Sequence, residues 1–347
     1  MPFFQCGAPR FPHFHSPNNN NPNVQKSLSR LLQGMWKKSA RTPIFPFPES
    51  STLLFFFCAS RPSPGFPMTR RILVALDPDA DTPVATRHAI DIAHRHDATV
   101  TGLVIVEARH VETKSRGESL GGVYHTTALL EHLTSEAEKR AKMLLEAFEE
   151  AAEEAGIAYE KRVRQGMPSR RILDEMTYQD LLVMGETPHY LYGQPDQQTK
   201  TLARVVRDAL APTFVVREDD EPPIERIVIA FDGGPSAART LHAFAQLRPF
   251  GTNAAVTLLH VHDDLPDASE RLLENARQYL QAHGFSPETA SVEGTTPHEA
   301  ITARVEDAGT DAVVAGARSV SQLHWLTFGS NTAPLLEDCP TALFLHH

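Results

Sequence analysis

From about residue 70 to the C-terminus, short apolar runs alternate with longer stretches that mix apolar and charged positions. Ile72 to Leu76 is continuously apolar and rich in branched side chains, the pattern of a strand buried on both faces of a parallel sheet. A loop with Pro78 and Pro83 follows, and then Val84, Ile90 and Ile92 interleave with Arg87, His88 and Asp91, which predicts a helix. Val100 to Val106 predicts the second strand. Beyond a polar loop with Gly121-Gly122, a long helix is predicted from about Thr127 to Ala155, rich in Glu, Ala, Lys and Leu and capped by Gly156. A third strand from Ala158 to Val163, a short helix after Pro168, a fourth strand from Leu181 to Gly185, a helix from Leu202 to Leu210 and a fifth strand from Thr213 to Val216 complete the series.

The series then repeats. Arg71-Ile72-Leu73-Val74-Ala75-Leu76-Asp77 recurs as Arg226-Ile227-Val228-Ile229-Ala230-Phe231-Asp232, after an acidic, proline-containing linker at 218–224. The second set comprises strand Ile227–Phe231, helix Ser236–Leu247, strand Ala255–His262, helix Ala268–His283, strand Thr289–Glu293, helix Pro297–Ala308, strand Ala312–Ala315, a short helix after Ser330 and strand Ala342–Leu345. Gly166-Met167-Pro168 before Ile172 matches Gly294-Thr295-Thr296-Pro297 before Ile301, with one residue inserted. The period far exceeds the roughly 20–50 residues of stacked repeats, so a whole folding unit is duplicated. Strands alternating with helices imply right-handed crossovers. The expected fold is α/β: two tandem open-sheet, parallel five-stranded Rossmann-like domains, at 69–217 and 225–347.

Composition narrows the class. The chain is 41% hydrophobic and 22% charged, ordinary for a soluble globular protein. Its net charge of −10, without a basic cluster, argues against a nucleic-acid partner. Cys6, Cys58 and Cys339 are far apart and lack metal-ligand spacing, which describes neither a disulfide framework nor a zinc site and fits a cytoplasmic location. Residues 1–68 differ in kind, with Pro and Phe clusters, an Asn run from Asn18 to Asn21 and few acids. Leu53 to Ala59 is far shorter than the roughly 20 residues of a membrane span. The segment is expected to be disordered, or not translated because synthesis begins at Met68.

Candidate chemistry lies at strand ends. Asp232 closes the first strand of the second copy and Gly316 the fourth. From Gly316 the chain runs through Ala317, Arg318 and Ser319, then nine residues, then Gly329-Ser330-Asn331-Thr332. Glycine lets backbone approach an anion closely, free amides at a helix start point toward it, and Ser330 and Thr332 add hydroxyl donors. An acid on one strand and an anion cradle on another hold opposite ends of a nucleotide. The strand histidines His260 and His262 lack a third metal ligand in sequence, so a structural role is the simpler reading.

These residues carry a family resemblance. From about residue 70 onward the chain resembles a tandem universal stress protein, whose nucleotide-binding members carry glycine, two residues, glycine, nine residues, glycine, then serine or threonine. Here that pattern reads Gly316, Ser319, Gly329 and Ser330, with serine at the second glycine. The resemblance implies adenine and ribose contacts at Ala230, Asp232 and Val261, ATP as the ligand of the second domain, and domain pairing through the fifth strands, with a homodimer as a further possibility. The first copy departs from the pattern: Pro188 stands at the second glycine and Gln198 or Thr199 at the third, although Asp77, Val106 and Gly185 are in place. Proline removes an amide donor and restricts the loop. That half reads as a degenerate copy.

There is no Gly-x-Ser-x-Gly elbow and no Walker loop. Gly233-Gly234-Pro235-Ser236 is faintly similar to a pyrophosphate-binding loop but has Asp232 where such a loop has serine. The expected function is therefore regulatory nucleotide binding rather than catalysis. The alternative is an interaction module of the same fold that binds no nucleotide, which Pro188 and Ser319 favour.

Overall fold

The computed structural model describes residues 69–106, 123–188, 198–262, 266–293, 296–317 and 339–347. The expectations for residues 1–68, for the glycine-bearing loop before the long helix and for the helix after Ser330 lie outside these residues. The first half runs β1 (Arg71–Leu76), α1 (Asp81–His96), β2 (Thr99–Val106), α2 (Val123–Glu154), β3 (Tyr159–Gln165), α3 (Pro168–Met176), β4 (Leu181–Gly185), α4 (Gln198–Asp208) and β5 (Thr213–Val216). The second half runs β6 (Arg226–Ala230), α5 (Pro235–Leu247), β7 (Ala255–His262), α6 (Pro266–Ala282), β8 (Glu288–Glu293), α7 (Pro297–Ala308), β9 (Ala312–Gly316) and β10 (Ala342–His346). β3 continues past its apolar stretch because Arg164 and Gln165 still pair with Ile105 and Val106. An edge strand needs backbone partners on one side only, so its apolar run understates its length.

All ten strands belong to one sheet, in the order β3-β2-β1-β4-β5-β10-β9-β6-β7-β8. Within each half the pairs are parallel, and the order reverses between β1 and β4 and again between β6 and β9. The halves meet at the one antiparallel pair among the described strands, where Thr213, Phe214 and Val215 of β5 face Leu345, Phe344 and Leu343 of β10. Each fifth strand thereby covers the other's unpaired edge. The outer edges are β3 and β8. Lys161, Arg162 and Arg164 on β3, and Glu288 and Glu293 on β8, place charge along them, which discourages further strand addition.

Apolar side chains alternate between the two faces of the sheet. One face buries Ile72, Val74, Phe214, Ile227 and Phe344 under α1, α2, α5 and α6, with Phe244 of α5 packed among them; the other buries Leu73, Val228 and Val313 under α3, α4 and α7, whose Ile172, Val205 and Ile301 pack onto them. Both cores run across the junction. Phe214 of the first half lies 4.9 Å from Phe250 of the second between ring centroids, and beside the seam Phe244 meets Phe344 of β10 edge to face at 5.7 Å. Full burial of each such ring contributes roughly 1.5–3 kcal/mol. The seam also has polar ties: a His96 ring nitrogen lies 3.0 Å from the Arg248 carbonyl, and the Thr69 hydroxyl donates to the Leu247 carbonyl at 3.2 Å.

The two copies start their first strands in the same way. Asp180, just before β4, accepts the amides of Arg70 and Arg71 at 2.8 and 3.0 Å. Asp311, just before β9, accepts those of Glu225 and Arg226 at 3.0 and 2.8 Å. Each aspartate aligns the first strand with the fourth, and so sets where their carboxyl ends fall.

Candidate functional site

At the carboxyl ends of β6 and β9 the strand order reverses, the usual location of a ligand crevice in an open parallel sheet. Ala230 faces Ala315 in the pairing, so Asp232 and Gly316 stand just past the last paired residues on adjacent strands. Asp232 is exposed, and its Oδ1 accepts the Gly234 amide at 2.8 Å. Gly233 has φ +74°, and a side chain there would drive a Cβ to 2.7 Å from Leu272 of α6. The positive φ is what favours glycine at the turn; the Leu272 side-chain tip could move aside. The ring nitrogen Nδ1 of His260 donates to the Phe231 carbonyl at 2.8 Å, tying β7 to the strand end that carries Asp232. This gives His260 a structural task, and among the described residues neither it nor His262 belongs to a metal-binding group. Val261 pairs with Val292 on β8 and is half-buried.

Gly316 pairs with His346, and the Ala317 amide donates to the His346 carbonyl at 2.7 Å. That carbonyl also accepts the hydroxyls of Ser236 and Thr240 at 3.3 and 3.0 Å, which hold the start of α5 against β10. The backbone framing the crevice is therefore fixed from three elements. Of the sequence-derived site, Ala230, Asp232, Val261 and Gly316 are placed here; Ser319, Gly329, Ser330 and Thr332 lie outside the described residues.

The first copy has the same frame with different contents. The Asp77 amide donates to the Thr82 hydroxyl at 3.1 Å, and Asp77 Oδ1 accepts the Asp79 amide at 3.0 Å. Asp81, the first residue of α1, turns its carboxylate onto the end of β4, where Oδ2 accepts both the amide and the hydroxyl of Thr187 at 3.1 and 3.2 Å. The carboxylate lies directly in front of Gly185: a Cβ added there would sit 2.2 Å from its Cγ. Asp81 is only 4% exposed, and burial pushes its carboxyl above the ordinary carboxylate range, against the lowering effect of Thr187 and with a further rise from Asp79. Carboxylate oxygens of Asp77, Asp79 and Asp81 all lie within 4.8 Å of one another. A cavity of about 400 Å³ beside this loop is bordered by Asp77 and Asp79, which would repel a polyphosphate.

The two helices superpose in sequence by a shared bond. Thr86 donates to the Thr82 carbonyl at 3.0 Å and Thr240 to the Ser236 carbonyl at 2.9 Å. In that register Asp81 corresponds to Pro235, which bears no carboxylate. Sequence alone marks Asp81 only as part of the long acidic Asp77-Pro78-Asp79-Ala80-Asp81 loop, without a site role. Its signal is the loop length, six residues from Asp77 through Thr82 against five from Asp232 through Ser236.

A duplicated, doubly wound parallel sheet with an acid and a glycine at one switch point defines a Rossmann-like α/β protein. The sequence profile described as the universal stress protein family matches residues 68–217 and again 223–345. The chain belongs to the universal stress protein family and carries two of its domains in tandem. No curated protein matched it. Among solved structures it is similar to a universal stress protein from Archaeoglobus fulgidus DSM 4304, with 18% identity over 81% of this chain and 97% of that chain at a TM-score of 0.60. It is also similar to the universal stress protein UspA from Lactobacillus plantarum, with 21% identity over 43% of this chain and 97% of that one at a TM-score of 0.32. A universal stress protein in complex with cAMP shares 21% identity over 36% of this chain and 98% of that one, at a TM-score of 0.32. No helix among the described residues is long and apolar enough to cross a membrane.

Proposed function

We propose that this tandem universal stress protein binds an adenine nucleotide, ATP by the family pattern, in its second domain only, and that its output is regulatory rather than catalytic, in the cytoplasm. The observation that carries this reading is the difference between the two switch points. In the second, an exposed Asp232 flanks Gly316 and the facing helix opens on Pro235; in the first, a carboxylate fills the space before Gly185. Gly316, Ser319, Gly329, Ser330 and Thr332 would hold phosphates through amides and hydroxyls, while Ala230, Asp232 and Val261 would contact adenine and ribose. The two residues placed beside each other on adjacent strands, Asp232 and Gly316, fit opposite ends of such a ligand.

Isothermal titration of the full chain with ATP tests the proposal. One site per chain is expected, weakened at least about ten-fold in Asp232→Ala and in Gly329→Lys. Absence of heat with the unmodified protein would leave the alternative, an interaction module without nucleotide.

A further inference from the structure

We propose that the turn following β4 in the first domain is an oxyanion site closed by the chain's own Asp81, so that this domain is self-liganded rather than merely eroded. The proposal concerns the first domain alone and stands whether or not the second binds nucleotide. Its basis is what surrounds the carboxylate. Asp81 Oδ2 takes two donors from one residue, the amide and hydroxyl of Thr187, and the group lies against Gly185, where the missing side chain makes room for it. A glycine beside convergent N–H and O–H donors is the arrangement that accepts a phosphate-type oxyanion. Here an anion already occupies it, supplied from the start of α1, and only 4% of Asp81 remains exposed.

Ala80, the N-cap of α1, has no polar side chain to cap with, and Asp81, the next residue, directs Oδ2 to Thr187 while its Oδ1 is buried without a hydrogen-bond partner. It also stands within a few ångströms of the oxygens of Asp77 and Asp79, so like charges oppose its position. The donors of Thr187 are what favour it there. Pro188 is a consistent neighbour: it is buried and provides no amide, so among the described residues of the turn the donors that meet the carboxylate are those of Thr187. This predicts affinity for a single phosphate group rather than for a triphosphate tail.

The test follows backbone amide signals of Gly185 and Thr187 by NMR in the full chain while inorganic phosphate is added, with the Ala317 amide as a separate reporter of the second domain. In the unmodified protein neither first-domain signal should move. In Asp81→Ser both should shift saturably in the millimolar range, at least about ten-fold tighter than any response of the unmodified chain. Adding Asp79→Asn should strengthen binding further by removing a like charge, and adding Thr187→Ala should abolish it. A folded Asp81→Ser or Asp81→Ala protein whose two amides ignore phosphate overturns the proposal, as does an equal response in the unmodified chain. The native protein offers an independent arm: its Thr187 amide should report a single titration with a midpoint above the ordinary carboxylate range, and a signal flat through acid pH would mean that Asp81 does not bind there as an anion. Movement of Ala317 alone bears on the second domain and counts against the first-domain site.

Discussion

Asp311 shows how much a single side chain can organise. It is separated from β6 by 85 positions, yet its Oδ2 accepts two successive amides at the start of that strand and its Oδ1 accepts the Arg226 guanidinium at 2.7 Å. Burial pushes its carboxyl up, but the bonds from Arg226 and the amides of Glu225 and Arg226 outweigh that and hold it below the ordinary value. The guanidinium is more than half exposed, so solvent screens its share and the amides carry most of the effect. Asp311→Ala should therefore lose about 1–3 kcal/mol in urea unfolding at pH 7. Because the folded-state value lies below the unfolded 3.8, this contribution is present above that pH and is lost as pH falls through the folded value. The difference between variant and parent should shrink accordingly in strong acid. The aspartate was readable as a residue, but nothing local in the sequence reveals its partner strand.

Helix starts were unequally legible. α7 opens on Thr296-Pro297, with Glu299 two positions later, a capping box that the structure completes: the Thr296 hydroxyl accepts the Glu299 amide at 3.3 Å and Glu299 reaches back to the Thr296 amide at 3.1 Å. Thr296→Ala should cost about 1 kcal/mol, measured as a shift in unfolding midpoint at constant denaturant slope. α1 differs because its acidic lead-in, Asp77-Pro78-Asp79-Ala80-Asp81, looks like a helix start by composition. In the fold, Ala80 is its N-cap and Asp81 is turned away toward Thr187. Local propensity places the helix within a few residues. It says nothing of which strand end the first carboxylate faces, since that depends on how α1 is pressed onto β4.

At the scale of the molecule, the cores of the two domains merge across the β5–β10 pair, so groups that titrate beside the seam should change the stability of both halves together. His88 packs edge to face on Phe214 at 5.4 Å, and burial pushes its imidazole down to about 4. Asp220 in the linker accepts the Arg217 amide at 2.7 Å, yet burial pushes its carboxyl up to about 6. The signs oppose each other. His88 is held neutral in the fold, so its contribution is lost as pH falls from the unfolded 6.5 toward about 4. Asp220 binds its proton more readily folded than unfolded, so its contribution rises as pH falls through about 6 toward 3.8. In Asp220→Asn the unfolding midpoint should drop more steeply between pH 6.5 and 4 than in the parent, and in His88→Phe it should drop less. Equal slopes in all three proteins would mean that these groups do not titrate with folding.

The sequence by itself determined the duplicated order of strands and helices, the burial of the central strands on both faces and the location of Asp232 and Gly316 at strand ends. These depend on short-range pattern: continuous branched apolar runs, glycine and proline punctuation, and a repeated seven-residue signature. Tertiary structure alone decided that the two five-stranded halves form one sheet through β5 and β10, and that Asp81 meets Thr187 across 106 positions to fill the space before Gly185. Such contacts are set by how whole layers pack, and a carboxylate one residue earlier or later in the loop would have pointed elsewhere. The asymmetry first visible as Pro188 in place of a glycine is thus joined in the fold by a second one, the Asp81 carboxylate against Gly185, which has no counterpart at Pro235.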